Sequence, residues 1–159
     1  MNQRVVLLGV ASTIVIAAAA EDTGGTLALL DYELAPGFSG LPPHRHSQED
    51  AAIYVLEGRL LVRVGGLEQT LGPGDFAWLP RAILHALYNP GPEPARFLLV
   101  LLPAGLEQGY RDLETTLRDA ASPSPAALAP VLHRYGVQLG VGSETDPQSL
   151  YNPHEHPTG

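Results

Sequence analysis

The stretch Pro42-Pro43-His44-Arg45-His46-Ser47-Gln48-Glu49-Asp50-Ala51 decides how this chain is read, because it sets two imidazoles two residues apart. On an extended strand that spacing turns both rings to one face. A third imidazole ends a second patterned run, Gly74-Asp75-Phe76-Ala77-Trp78-Leu79-Pro80-Arg81-Ala82-Ile83-Leu84-His85. Three imidazoles brought together by strands make a metal pocket, with His44, His46 and His85 as its ligands. The chain has no cysteine, so only His and carboxylate donors are available. The expected cofactor is therefore a divalent transition metal: Zn, Fe, Ni, Cu or Mn.

Around these two runs the text up to about residue 103 is a series of short apolar segments cut by Gly and Pro. Strand signals fall at residues 12–18, 26–35, 51–57, 59–64, 75–79, 84–88 and 95–102. Gly24-Gly25, Pro36-Gly37, Gly65-Gly66, Gly72-Pro73-Gly74 and Asn89-Pro90-Gly91-Pro92 separate them. No helix-sized segment interrupts the strands, which excludes a parallel βαβ sheet and predicts an antiparallel sandwich or barrel. Beyond Pro103, Leu106, Tyr110, Leu113 and Leu117 recur at helical spacing and predict an amphipathic helix of about four turns. Ser122-Pro123-Ser124-Pro125 ends it; a second helix is expected from Pro125 to Arg134 and an edge strand from Val137 to Val141. The whole reads as one domain over residues 1–143, with a barrel core at 12–103, helices at 105–135 and a loose polar tail at 144–159.

The N-terminal segment admits two readings. Arg4 followed by the apolar run to Ala20 has the outline of a secretory leader, whereas Gly9, Ser12 and Thr13 interrupt it and Ser12-Thr13-Ile14-Val15-Ile16 is β-branched like a buried strand. We read it as a strand in a cytoplasmic protein, and as too short and interrupted to span a membrane. A net charge of −8, from 17 acidic against 9 basic residues, argues against a nucleic-acid partner, and no membrane partner is indicated.

The two histidine runs resemble the paired motifs of the cupin superfamily, within it the small single-domain proteins similar to quercetin 2,3-dioxygenase. The likeness covers roughly residues 20 to 140. In the first motif, His44 and His46 supply the His-x-His pair and Gly58 the closing glycine, with Gly37 one residue too far away for the opening glycine. In the second, Gly74, Pro80, His85 and Asn89 keep every spacing, and Ala82 stands where the motif has glycine. Tyr54-Val55-Leu56-Glu57-Gly58 and Arg134-Tyr135-Gly136 also look like that subgroup. The resemblance implies an all-β double-stranded β-helix, or jelly-roll barrel, with C-terminal helices packed on its outside and a metal in its interior. It also implies a small-molecule ligand and, by analogy with other cupins, a homodimer formed through sheet edges and N-terminal strands. The apolar first segment, an exposed edge if left alone, points the same way.

One departure bears on activity. The motif's glutamate, a metal ligand and the expected base in the dioxygenases, falls at Ala51. Glu49 shares the parity of Ala51 but would sit about 7 Å away along a regular strand, so it substitutes only if the backbone bulges. Asp50 has the wrong parity. Three histidines alone remain a workable site, as in cupins of the thiol dioxygenase type. The expected function is a metal-capable pocket for a small apolar or aromatic molecule, with quercetinase-like dioxygenase activity. Glu49 is the one nearby candidate for a catalytic proton acceptor. The alternative is a non-catalytic binding or structural cupin in which the imidazoles merely hydrogen-bond. Tyr54, Phe76 and Trp78 lie on expected strands; they read first as core and, with Ala51, as candidates to line the pocket. Asn89 reads as turn chemistry, Arg81 as a solvated loop cation, and His154-Glu155-His156 as a solvated part of the tail.

Overall fold

A computed structural model describes residues 3–7, 11–119 and 125–140. Within them the chain forms β1 (Gln3–Leu7), β2 (Ser12–Ala18), α1 (Ala20–Thr23), β3 (Ala28–Leu34), β4 (His44–His46), β5 (Asp50–Glu57) and β6 (Leu60–Val64). There follow β7 (Leu67–Leu71), β8 (Phe76–Leu79), β9 (His85–Tyr88), β10 (Ala95–Leu102), α2 (Leu106–Asp119), α3 (Pro125–Arg134) and β11 (Val137–Leu139). Two antiparallel sheets result, one ordered β1-β2-β3-β10-β5-β8 and the other β11-β4-β9-β6-β7. From β3 onward the chain passes back and forth between them, with only the β6–β7 hairpin staying in one sheet. This is the expected jelly-roll barrel.

Side-chain alternation explains why the two sheets close on each other. In β10, Ala95, Phe97, Leu99 and Leu101 are buried while the residues between them are half-buried. The strand lies between β3 and β5, so its inward residues meet those of both neighbours. Phe97 is paired with Tyr32 and Val55, and Leu99 with Leu30 and Ile53. The Tyr32 and Phe97 rings stack at 4.9 Å. Fully burying an aliphatic or aromatic side chain of this kind contributes about 1.5–3 kcal/mol, which makes this strip the main support of the barrel.

The same alternation corrects one expectation. In β5, Ala51, Ile53 and Val55 point inward, and in β8 Ala77 and Leu79 do. Tyr54, Phe76 and Trp78 therefore fall on the other face, where they are 46%, 58% and 45% exposed. Tyr54 stands opposite Phe76, and Trp78 opposite Ala52, on the outside of the six-stranded sheet. They are neither core nor pocket lining. Residue type suggested the interior, but strand parity assigned that place to their small and aliphatic neighbours.

Two strands carried little signal in the sequence. The β7 segment Leu67-Glu68-Gln69-Thr70-Leu71 has one buried residue because it is the edge of its sheet. A two-residue Gly65-Gly66 turn, Gly65 with positive φ, fixes its register by placing Val64 opposite Leu67. The first segment, β1, pairs with β2, and its Val5 and Leu7 are fully buried. Helix α2 holds β1 in place: the Glu114 carboxylate accepts the Val6 N–H at 2.9 Å and Arg111 donates to the Gln3 side-chain oxygen at 2.6 Å. Val5 and Leu7 are thus covered within the chain, while β1 remains an edge of its sheet. The β2 expectation, residues 12–18, matches its observed span.

Both helices form where the sequence placed them, the first by helical spacing and the second by its flanking Pro and Gly. Leu106, Tyr110, Leu113 and Leu117 are the buried face of α2, and α3 packs against α2 and β11. Leu128, Val131 and Leu132 are buried on α3. The two helices lie against the barrel flank beside β4 rather than on a remote face, so their apolar residues also face the histidines. Among the described residues no helix is long and apolar enough to cross a membrane. The tail, with His154 and His156, lies outside the described residues.

Gly58 closes the first motif for a packing reason. Its φ is +74°, and a Cβ there would lie inside van der Waals contact with the Pro94 carbonyl oxygen. A Gly58→Ala variant is expected to lose about 2–4 kcal/mol in denaturant unfolding, through left-handed strain plus backbone overlap; a loss under about 0.5 kcal/mol would contradict this packing.

Candidate metal site

The site begins with a three-residue strand between two turns. The alternation of β4 buries His44 and His46 and leaves Arg45 between them half-buried. β4 pairs with β9 so that His44 stands directly opposite His85. On its other side β4 pairs with β11, which places Val137 opposite His46 and Leu139 opposite His44. Two backbone bonds lock the following turn: Ser47 N–H donates to the Gly136 carbonyl at 2.9 Å, and Ala82 N–H to the His46 carbonyl at 2.7 Å. Ala82, at the motif's glycine position, keeps the left-handed backbone at φ +66° despite its Cβ.

The three rings converge. Their centroids are 5.1 Å apart for His44 and His46, 4.4 Å for His44 and His85, and 4.9 Å for His46 and His85. One ring nitrogen from each lies within 4.8 Å of the others. His44 Nδ1–H donates to the Pro42 carbonyl at 2.7 Å, and His85 Nδ1 points at the Ile83 carbonyl at a longer 3.4 Å. These carbonyls hold the proton on Nδ1 and leave the Nε2 lone pair free. The buried Nε2 of His46 has no hydrogen-bond partner. Burial is the main force on all three rings and keeps them neutral. It lowers His44, takes His46 down to about 3 with help from His44, and holds His85 well below the usual imidazole range, where His44 and His46 add to the effect. Neutral, convergent, buried nitrogens with one orphaned lone pair suit a divalent ion better than they suit one another. The three sequence-derived ligands are therefore brought together.

The surroundings are mostly apolar. The cavity beside the rings is lined by Leu34, Leu79, Leu87 and Leu99 from the barrel and by Leu41 from the loop before β4, with Tyr32 and Tyr110 supplying hydroxyl groups. It has room for one or two waters. A smaller neighbouring cleft is walled by His44 and His46 on one side and by Leu106, Gly109, Leu113 and Leu132 of the helices on the other. The Tyr32 hydroxyl is tied to Ser12 at 2.9 Å, and burial pushes its pKa up to about 12. The Tyr110 hydroxyl is also pushed well up, by burial first and then by Tyr32 and Glu49. Tyr110 is expected on the apolar face of its helix and Tyr32 lies inside the expected strand 26–35; a cavity formed from β3 and α2 leaves no local sequence signal.

The remaining candidates fall in distinct places. Ala51 is fully buried on the inner face opposite Leu79, one residue removed from the cavity wall. Glu49 precedes β5 in the turn, is only 4% exposed, and has one carboxylate oxygen without a partner. Burial raises its pKa, with a hydrogen bond from its own backbone N–H and then Arg81 pulling the other way. It does not belong to the cluster of ring nitrogens. Asn89 does turn chemistry, donating to the Leu34 and Glu93 carbonyls at 3.0 and 2.8 Å and accepting from Gly91 N–H at 3.0 Å. Arg81 is a half-exposed loop cation paired with Asp50 at 3.0 Å.

Comparison with known proteins follows the same lines. The family model described as a cupin domain matches residues 30–101. The chain is 36% identical over 103 residues to the tetracenomycin polyketide synthase protein TcmJ of Streptomyces glaucescens, covering 63% of this chain and 68% of that protein. It is 30% identical over 98 residues to quercetin 2,3-dioxygenase of Bacillus subtilis (strain 168), covering 62% of this chain and 28% of that one. The chain thus spans under a third of that relative's length. Among solved structures, an RmlC-like cupin from Shewanella frigidimarina NCIMB 400 matches with a TM-score of 0.57 at 19% identity, over 68% of this chain and 89% of that one, a likeness of fold alone.

The depressed histidines make stability depend on pH in one direction. Unfolded imidazoles take up protons below their ordinary value of 6.5, whereas folded His46 resists until about 3, so the unfolded state binds more protons between these values. Chelator-treated protein is expected to melt at a constant temperature from pH 8 to 7 and at falling temperatures from pH 6.5 to 4, with a shallower fall in His46→Gln. An unchanged melting temperature over that lower range would contradict buried neutral rings.

Proposed function

From the premise that the chain belongs to the cupin superfamily, we propose that it holds a divalent transition metal on His44, His46 and His85 and binds there a small, oxygen-bearing, largely apolar or aromatic molecule. Quercetinase-like dioxygenase chemistry is the reaction this reading favours. The observation that carries it is the meeting of three neutral imidazole nitrogens, one of them orphaned, in an apolar barrel. The partial likeness to quercetin 2,3-dioxygenase supports the choice of reaction. A divalent ion on these nitrogens supplies Lewis acidity toward a substrate's oxygens.

The chain's own residues have separate tasks. The carbonyls of Pro42 and Ile83 orient two of the rings through Nδ1. Leu34, Leu79, Leu87 and Leu99 keep bulk water away, which strengthens every polar contact inside. Glu49, buried and with one unpartnered carboxylate oxygen, is the candidate to take a proton from a substrate hydroxyl. A planar substrate needs a pocket of roughly 300 Å³ or more, so it enters only by moving Leu41 or the helix residues around the two small clefts.

The test is oxygen uptake by metal-replete protein with quercetin and with a smaller catechol. Uptake that disappears in His46→Ala supports the reading; none with either substrate at full metal occupancy contradicts it.

A second reading has its own observation, the alanine at position 51 where dioxygenases place a ligating glutamate. Under it the barrel binds or stabilises without chemistry, and its metal affinity is low. An Ala51→Glu side chain would enter the inner face opposite Leu79. A gain in zinc affinity of tenfold or more from a weak start favours this second reading. Unchanged, already tight binding argues that the native site is complete.

A further inference from the structure

The charge balance of the site is incomplete. Three neutral imidazoles leave both positive charges of a divalent ion uncompensated in an apolar barrel, an arrangement that calls for an anion. The usual anion of this motif position is absent, since Ala51 presents only a methyl group to the interior. Nε2 of His46 and Oε2 of Glu49, three residues later, are both buried and without a hydrogen-bond partner. An unpartnered buried carboxylate oxygen is destabilising, and such an oxygen is a ready acceptor for an arriving cation.

Resting on the three-histidine reading, we propose that Glu49 is the carboxylate of the metal site, turning inward to ligate or directly counterbalance the ion and so taking over the task that Ala51 cannot perform. Local backbone permits this. Glu49 lies outside β4 and β5, in the connection from Ser47 to Glu49, so strand alternation does not fix its direction. The connection is anchored at both ends. His46 is held through its carbonyl by Ala82 N–H and Ser47 through its N–H by the Gly136 carbonyl, while the Asp50 carboxylate receives both the Arg81 N–H at 2.8 Å and the guanidinium. Side-chain rotation about Glu49 therefore changes its target without moving the strands. Its surroundings point toward the pocket as well, because the charges it meets are those of Arg81 and Glu107, and it acts in turn on Tyr110, a wall of the cavity. Glu107 is already engaged, accepting from Ala20 N–H at 2.7 Å and Gly105 N–H at 2.6 Å. Asp50 is committed to Arg81. Glu49 is the acidic group here with an unpartnered oxygen.

The experiment uses full-length protein stripped with chelator and titrated with Zn(II) against a competing chelator, and separately with Co(II) read by its visible absorption. Glu49→Gln keeps the shape of the side chain and removes the charge. We expect it to weaken Zn(II) binding roughly 10–100-fold and to change the energy and intensity of the Co(II) bands. Its metal-free melting temperature should stay level or rise, because a buried unpaired carboxylate has been removed. The double variant Glu49→Gln/Ala51→Glu should regain most of the lost affinity. Wild-type affinity and an unaltered Co(II) spectrum in Glu49→Gln would overturn the proposal, as would a fall in metal-free stability that accounts for the whole loss. Failure of the underlying reading looks different: wild type would then bind Zn(II) no better than His46→Ala, before any change at Glu49.

Discussion

The in-register pairing of His44 on β4 with His85 on β9 is the constraint from which the site follows. It places the first ligand of one motif directly across from the ligand of the other, although 41 residues separate them in the chain. Alternation along β4 then brings His46 to the same face, and β11, arriving from the far end of the fold, pins that short strand from its other side. A three-residue strand could not hold two buried imidazoles by itself. Neighbours on both edges, together with carbonyls that fix the ring nitrogens of His44 and His85, make the arrangement rigid before any ion arrives. This is preorganisation in the ordinary sense: the cost of ordering the ligands is met during folding rather than binding.

The rest of the barrel serves that pairing. Sheet-to-sheet burial along β10 sets the separation of the two layers, and the apolar wall it supplies keeps the rings neutral. Helix α2 contributes on three levels. It covers β1, its Glu107 satisfies backbone donors at Ala20 and Gly105, and its Tyr110 and Leu113 close the flank over His44 and His46. Stability and site are therefore not separable on this side of the molecule.

Much of this was legible in the residues. The apolar runs of β2, β5 and β10 between Gly and Pro punctuation and the period-3.6 burial of α2 are plain in the sequence, and the His-x-His pair declares its own face. Edge elements were not, since β7 buries only Leu71 and hence shows no pattern. Tyr54, Phe76 and Trp78 show the opposite failure. Their hydrophobicity suggests the interior, yet the parity of the strands gives that face to Ala51, Ile53, Ala77 and Leu79. The cavity walls were also hidden, because Tyr32, Leu41, Leu99 and Tyr110 meet only through tertiary packing. Glu49 is instructive in another way. Strand geometry made it a poor stand-in for Ala51; it lies in the connection before β5, where strand alternation does not set its direction, and outside the cluster of ring nitrogens.

The central claim is that all three imidazoles hold one ion through nitrogen. X-ray absorption at the metal edge of zinc-loaded protein tests it directly. The account predicts a first shell of nitrogen and oxygen at about 2.0–2.1 Å, with outer-shell scattering that requires three imidazole rings. A fit needing one ring, or none, would contradict it.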